Sequence, residues 1–288
     1  MGEITRRNFL KSSAALCVGA SIALSGARLS ALAEEDSLKV RAAVFSPTGG
    51  TMNATYLLAS MLSNNPEMIE QTPLSSRDDV ITFNKDELAI LSAPSYVGRI
   101  PFAPNLFTNL KGNDTPCVLV AAFGNRDCEN NFAQMNKIAT ENGFVVIGAI
   151  ALVTPHIFGA RAGHSRPDVE DHPTIREFAE IIRDKVKTGA FTTITVEGDE
   201  SLPEEKPSMK SRPEKTFDSQ LCIMCGACTQ NCPEGAIDAA TLVINEDLCI
   251  QCQRCSHVCP TGARTYILDW NKSDSSYAVT RKPVTYIV

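Results

Sequence analysis

Apolar residues in this chain gather into short runs separated by stretches of helical periodicity. Runs at 40–45, 88–92, 118–123 and 144–153 alternate with helical patterns at 52–62, 102–110 and 131–142, and a further helical pattern covers 173–187. Strands this uniformly apolar are covered on both faces, so the alternation predicts an α/β doubly wound parallel sheet spanning about 39–190. Residues 197–216 break the pattern, with Pro203, Pro207 and Pro213 among mixed charges. That composition cannot bury a core and predicts an extended linker. A cysteine-rich segment follows at 217–268. The tail at 269–288 alternates through Tyr277, Val279, Val284, Tyr286 and Ile287, enough for strands.

Composition narrows the class. The chain has 288 residues, 43% hydrophobic and 21% charged, which excludes collagen-like and disordered proteins. No apolar run reaches the roughly 20 residues of a membrane span. With 27 Lys and Arg against 33 Asp and Glu, and no basic cluster, no nucleic-acid partner is expected.

Residues 1–33 read as a targeting segment. Arg6 and Arg7 precede Phe9-Leu10-Lys11, an uncharged stretch covers 12–27, and Ala31-Leu32-Ala33 stands before Glu34. This order resembles a twin-arginine signal peptide and implies export of a folded protein, to the periplasm or beyond.

The cysteines are the outlier. Of 11, eight fall in one segment: Cys222, Cys225, Cys228 and Cys232-Pro233, then Cys249, Cys252, Cys255 and Cys259-Pro260. Each member of the first set has its counterpart 27 residues later, the signature of an internal repeat with approximate two-fold symmetry. Three thiolates on one tight loop can hold three corners of a cubane, while the chain turned by the proline delivers the fourth to the other cube. On that logic one [4Fe-4S] cluster takes Cys222, Cys225, Cys228 and Cys259, and the other takes Cys249, Cys252, Cys255 and Cys232. Zinc is the competing reading, but its sites use two well-separated pairs. Disulfides within so short a loop would be strained. No Cys-x-x-Cys is followed by His, so c-type haem is excluded. The segment resembles a bacterial two-cluster ferredoxin.

The run at 40–45 leads into Ser46, Pro47, Thr48, Gly49, Gly50 and Thr51, and a helical pattern follows. A hydroxyl- and glycine-rich turn between strand and helix is a phosphate cradle, and the missing Lys separates it from nucleoside-triphosphate loops. Two further loops should lie on the same sheet edge. One holds Pro94, Ser95, Tyr96, Gly98 and Arg99; the other holds Gly124, Asn125, Arg126, Asp127 and Cys128. Together the three resemble the FMN site of a flavodoxin-like domain.

The ordered set of Phe-Ser-Pro-Thr-Gly-Gly-Thr, Pro-Ser-Tyr-Val-Gly-Arg-Ile-Pro, Phe-Gly-Asn-Arg-Asp and Arg166-Pro167-Asp168, ahead of the cysteine repeat, resembles the bacterial flavodoxin-ferredoxin fusion family over about 39–268. Cys128 stands where that family more often has an aromatic side chain, which leaves ring stacking to Tyr96. Cys117 reads as a core thiol, and His156 and His164 as flavin-edge candidates.

These readings imply an exported electron carrier coupling FMN to two [4Fe-4S] clusters and a redox partner protein. The alternatives are a flavin-dependent reductase of a small molecule or quinone, and a non-catalytic subunit of a larger reductase. No Gly-x-Gly-x-x-Gly suits a nicotinamide. Between 217 and 263, Asp218, Glu234, Asp238, Glu246 and Asp247 face one basic residue, Arg254, which predicts a partner with a basic docking patch.

Overall fold

A computed structural model describes residues 38–103, 105–158, 163–189, 191–202, 214–267 and 280–288. The signal-like segment at 1–33 lies outside them. Residues 38–288 form one compact unit.

The central sheet has six strands. β1 (Lys39–Val44), β2 (Glu67–Glu70), β4 (Glu87–Pro94), β6 (Thr115–Phe123) and β7 (Phe144–Val153) are parallel, and β10 (Thr285–Ile287) pairs antiparallel with β7 at the edge. Across the sheet the order is β10-β7-β6-β4-β1-β2. Counting only the parallel strands in chain order, this is 2-1-3-4-5, the flavodoxin-like doubly wound order, with its topological switch between β1 and β4. β4 and β6 are buried almost throughout, as their continuous apolar sequence requires.

One face carries α1 (Gly50–Leu62) and α3 (His172–Thr188). Leu58, Leu62, Phe178 and Ile182 pack there over Val40, Leu88, Val118 and Ile150. Each such side chain contributes about 1.5–3 kcal/mol on full burial. α3 begins at a proline in its first turn and stops at Gly189, whose φ of 64° suits glycine.

Among the described residues the other face carries one crossover helix, α2 (Asn131–Glu141), which packs Phe132, Met135 and Ile138 against the sheet. Among the described residues no α-helix lies between β2 and β6. The path there runs through a 3-10 turn (Leu74–Arg77), the two-residue strands β3 (Ile81–Thr82) and β5 (Leu110–Lys111), and turns that bury Ile100, Leu106 and Phe107. The helix expected at 102–110 is therefore replaced by consecutive turns. Their bonds are i to i−3, from Leu106 N to Ala103 O and Thr108 N to Asn105 O, and Phe107 has a φ of 64°. The sequence supplies the reason: prolines at 101 and 104 remove two amide donors and disfavour helix before them.

The cysteine lobe helps cover this face. Ile250 and Cys252 join the same buried cluster as Phe45, Leu91 and Phe132. The lobe is built from β8 (Glu214–Phe217) and β9 (Arg264–Ile267), paired antiparallel, and from the short helices α4 (Ala227–Gln230) and α5 (Arg254–His257). It is a small α+β ferredoxin domain following the flavodoxin-like sheet.

Of the stretch expected as a linker, residues 203–213, with Pro203, Pro207 and Pro213, lie outside the described residues, and the described parts at its two ends are tied to the fold. Its last residues form β8, and on its N-terminal side Asp199 N donates to Asn130 Oδ1 while Gln134 Nε2 donates to Ser201 O, binding it along α2. The tail returns to the sheet as β10. Of its predicted strand residues, Tyr277 and Val279 lie outside the described residues.

Candidate functional site

The parallel strands bring the candidate flavin loops to one edge. After β1, Gly49 takes φ +87°, a conformation that strains any side chain. The first amides of α1, at Gly50 and Thr51, have no intrahelical acceptor and face the loop. Ser46 is buried; its amide donates to Thr72 Oγ1 at 2.7 Å and its hydroxyl accepts from Met52 N at 2.9 Å. Ser46 thus shapes the turn, while Thr48, Gly49 and Gly50 form its half-exposed rim and Thr51 is buried behind them. An added Cβ at Gly49 would meet nothing within 4 Å, whereas one at Gly50 would meet Thr154 at 3.6 Å. Open amides over an unobstructed rim fit a monophosphate.

After β4, Ser95 N donates to Ala122 O, and Tyr96 and Arg99 close a tight turn through paired backbone bonds across Val97 and Gly98. Pro94 O accepts from Asn131 Nδ2 at 3.1 Å. Among the described residues the Tyr96 hydroxyl, which is buried, has no hydrogen-bond partner. Burial, with Cys252 and Cys249 nearby, pushes its phenol well above the ordinary range.

After β6, Gly124 lies against the ring of His156, which would collide with any Cβ there. Burial and the charge of Arg126 push the His156 imidazole down, so it stays neutral. Arg126 pairs with Glu129, while its Nη2 is buried with no partner among the described residues. Asp127 caps its own turn, accepting from the amides of Cys128 and Glu129. The Asn125 amide contacts the C-terminal segment, with Nδ2 donating to Thr280 O and Oδ1 accepting from Lys282 N. Arg166, beyond β7, pairs with buried Asp171 and donates to Lys282 O, so this edge also anchors the tail. His164 is exposed beside Ser165, and Cys117 is a buried core thiol. Burial pushes the Cys128 thiol up to about 11, aided by Asp127, and leaves it unreactive at neutral pH.

The eight cysteines divide between two cavities. An outer cavity is lined by Cys222, Cys225, Cys228 and Cys259, with Phe217 and Leu242. An inner cavity is lined by Cys232, Cys249, Cys252 and Cys255, with Lys215 and Ile244. Among the described residues no three His, Cys, Asp or Glu side chains converge as ligands of a single metal ion. Four thiols spread around a cavity suit a cluster better than mononuclear zinc.

The backbone repeats as the sequence does. Left-handed φ angles occur at Met224 and Gln251, at Gly226 and Gln253, and at Gly235 and Gly262, each pair 27 positions apart. These turns aim amides at sulfur: Met224 N donates to Cys222 Sγ at 3.4 Å and Ala236 N to Cys232 Sγ at 3.2 Å.

Sequence reasoning missed the contacts that join the halves. Arg77, its side chain 2% exposed, donates to Gln71 O, Thr72 O and Glu234 Oε1. Arg254, preceding a cluster cysteine, donates to Pro47 O of the phosphate-like loop, to Glu70 and to Asn231. A signal was present, since these charges break the repeat. Ala227 stands opposite Arg254, and Thr261 opposite Glu234.

Residues 221–263 match the family described as a 4Fe-4S dicluster domain. No curated protein sequence matches the chain. Among solved structures, the Streptococcus pneumonia TIGR4 flavodoxin is 18% identical, aligned over 51% of this chain and 98% of its own, with a TM-score of 0.35. A flavodiiron core from Synechocystis sp. PCC6803 is 13% identical over 56% of this chain and 39% of its own, with a TM-score of 0.36. The strand order, independent of these low scores, establishes the flavodoxin-like fold. A flavodoxin-like domain joined to a 4Fe-4S dicluster domain makes this an electron-transfer protein.

Proposed function

We propose that the chain is an exported carrier that passes electrons between FMN, held at the carboxyl-end loops of the sheet, and two [4Fe-4S] clusters, held in the inner and outer cavities. FMN exchanges electrons singly or in pairs and each cluster exchanges one, so the protein's part is positioning and tuning. The observation that carries this reading is Tyr96. It stands in a candidate flavin loop, and its side chain packs against the buried cluster that contains Ile250 and Cys252 of the cysteine lobe. Thr48, Gly49, Gly50 and Thr51 would hold the phosphate. Ser95, Tyr96 and the 124–127 loop would border the ring. Arg254, through Pro47, ties the phosphate loop to the inner cavity.

Export is supported by the Arg6-Arg7 leader. A redox partner would dock at the outer cavity, whose rim exposes Leu221, Ile223 and Met224. A second reading, a flavin-dependent reductase of a small molecule, draws on the Arg126 Nη2 atom beside His156, which has no hydrogen-bond partner among the described residues although the guanidinium pairs with Glu129.

Anaerobic purification with iron, sulfide and flavin analysis tests the proposal. About eight iron atoms per chain are expected, with stoichiometric FMN. Gly50→Val should abolish FMN binding and leave the iron content unchanged. Zinc in place of iron, or indifference of the wild type to FMN, would sink the corresponding half.

A further inference from the structure

Lys215 breaks the symmetry of the cysteine lobe at the point where it matters for electrons. Its Nζ lies 3.3 Å from Cys249 Sγ, a donor contact to a thiol of the inner cavity. The ammonium also bonds both carboxylate oxygens of Glu246, at 2.8 and 2.6 Å. The Lys215 side chain is 18% exposed and that of Glu246 57%, so solvent screens the carboxylate more than the ammonium–sulfur contact. Twenty-seven residues on, the matched position is Leu242, which lines the outer cavity with an apolar side chain. β8 fixes Lys215 by pairing it with Tyr266 of β9.

The two cavities also differ in burial. Cys252 of the inner set is 7% exposed and packs into the core of the sheet, whereas Cys225 of the outer set is exposed. A reduced cluster carries one more negative charge than an oxidised one. Burial therefore lowers the inner potential, by removing the solvent that would stabilise that charge. A cationic N–H donor on a ligating sulfur acts in the opposite sense.

We propose that Lys215 is a tuning residue that holds up the reduction potential of the inner cluster against its burial. One electron then passes from the outer cluster, which is oxidised, to the inner one, which is reduced, without a steep uphill step. The inference rests on the two-cluster reading above, and concerns which residue makes that reading work.

The test is a potentiometric titration of the full-length, anaerobically purified holoprotein, followed by electron paramagnetic resonance alongside iron analysis. Wild type should give about eight iron atoms and two one-electron waves. In Lys215→Leu one wave should move to lower potential and the other stay. The electron occupancy of the inner cluster relative to the outer should fall at least about tenfold, about 59 mV for a one-electron couple. Glu246→Gln, at an exposed position, should move the same wave the opposite way, and it decides the matter if Lys215→Leu fails to fold. Lys215→Arg should stay near wild type. Clusters present with both waves unmoved, or moved equally, overturn the role of Lys215 alone. Absence of two cubanes in wild type overturns the underlying reading with it.

Discussion

The two halves of the cysteine repeat have matching left-handed turns, matching short helices and matching Cys-Pro exits, yet they stand in different surroundings. Around the outer cavity, Ile223 and Met224 are more than 60% exposed. Around the inner cavity, Ile250 and Cys252 are 8% and 7% exposed and belong to the core of the sheet. Position within the fold has separated them. The inner half lies against the sheet face that, among the described residues, has a single crossover helix, so one repeat serves both as a cysteine loop and as part of a hydrophobic layer. The difference teaches that cluster ligation and domain packing are coupled on the inner side and independent on the outer.

The largest expected effect comes from removing a thiol on each side. Cys252→Ser places a hydroxyl in the core, where an unsatisfied polar group costs about 1–3 kcal/mol, and it also removes an inner ligand. Under anaerobic conditions this variant should lose about half its iron and melt several degrees lower in circular dichroism. Cys225→Ser should lose the outer cluster and leave the melting of the sheet close to wild type. Equal melting losses from both variants would show that the two halves are not energetically distinct.

The join between lobe and sheet offers the next test. Burial pushes the Arg77 guanidinium down and the Glu234 carboxyl up, and each charge partly restores the other. Removing one member of such a buried pair leaves the other uncompensated, at about 3–5 kcal/mol. Arg77→Ala should therefore lower the urea midpoint substantially. Thr261→Ala, at the position matched to Glu234, should change stability by about 0.5 kcal/mol or less. Similar midpoints for the two variants would mean that the pair does not hold the lobe to the sheet.

Much of this architecture was legible in the sequence. Continuous apolar runs such as 118–123, alternating with helix-length segments, predict parallel strands buried on both faces, and a 27-residue offset across four cysteines predicts a two-fold repeat. The turns at 102–110 were not legible from periodicity, because Leu106 and Leu110 keep a helical spacing while the nearby prolines remove the donors a helix needs. The joining residues were hidden for another reason. Arg77 lies 157 positions from Glu234, and no local pattern reports a contact of that range. Only their failure to repeat, as with Arg254 against Ala227, distinguished such charges from solvated ones. In the same way Asn125 had the right loop position for a cofactor contact, but its amide is engaged by the tail, which sequence placed no nearer than the far end of the chain.

The smallest effect concerns docking, where the same contrast divides the acidic residues. Glu234 is paired with Arg77 at the inner join, and Glu246 with Lys215, so neither presents a free charge to a partner. Asp218, Asp238 and Asp247 are exposed; Asp218 and Asp238 accept bonds from neighbouring amides, which leaves their negative charge in place. The field around the outer cavity is thus weaker than five acids would produce. Screening at about 0.15 M salt cuts its reach to about 8 Å. A basic redox partner should therefore associate only a few-fold more slowly as salt rises from low to physiological, chiefly through the on-rate. Ile223→Glu should weaken association more, because it buries a charge in the apolar rim that has to be desolvated on contact. Stopped-flow reduction of the partner across ionic strength separates the two terms. A steep salt dependence with no response to Ile223→Glu would make the outer face electrostatic, and the apolar rim incidental.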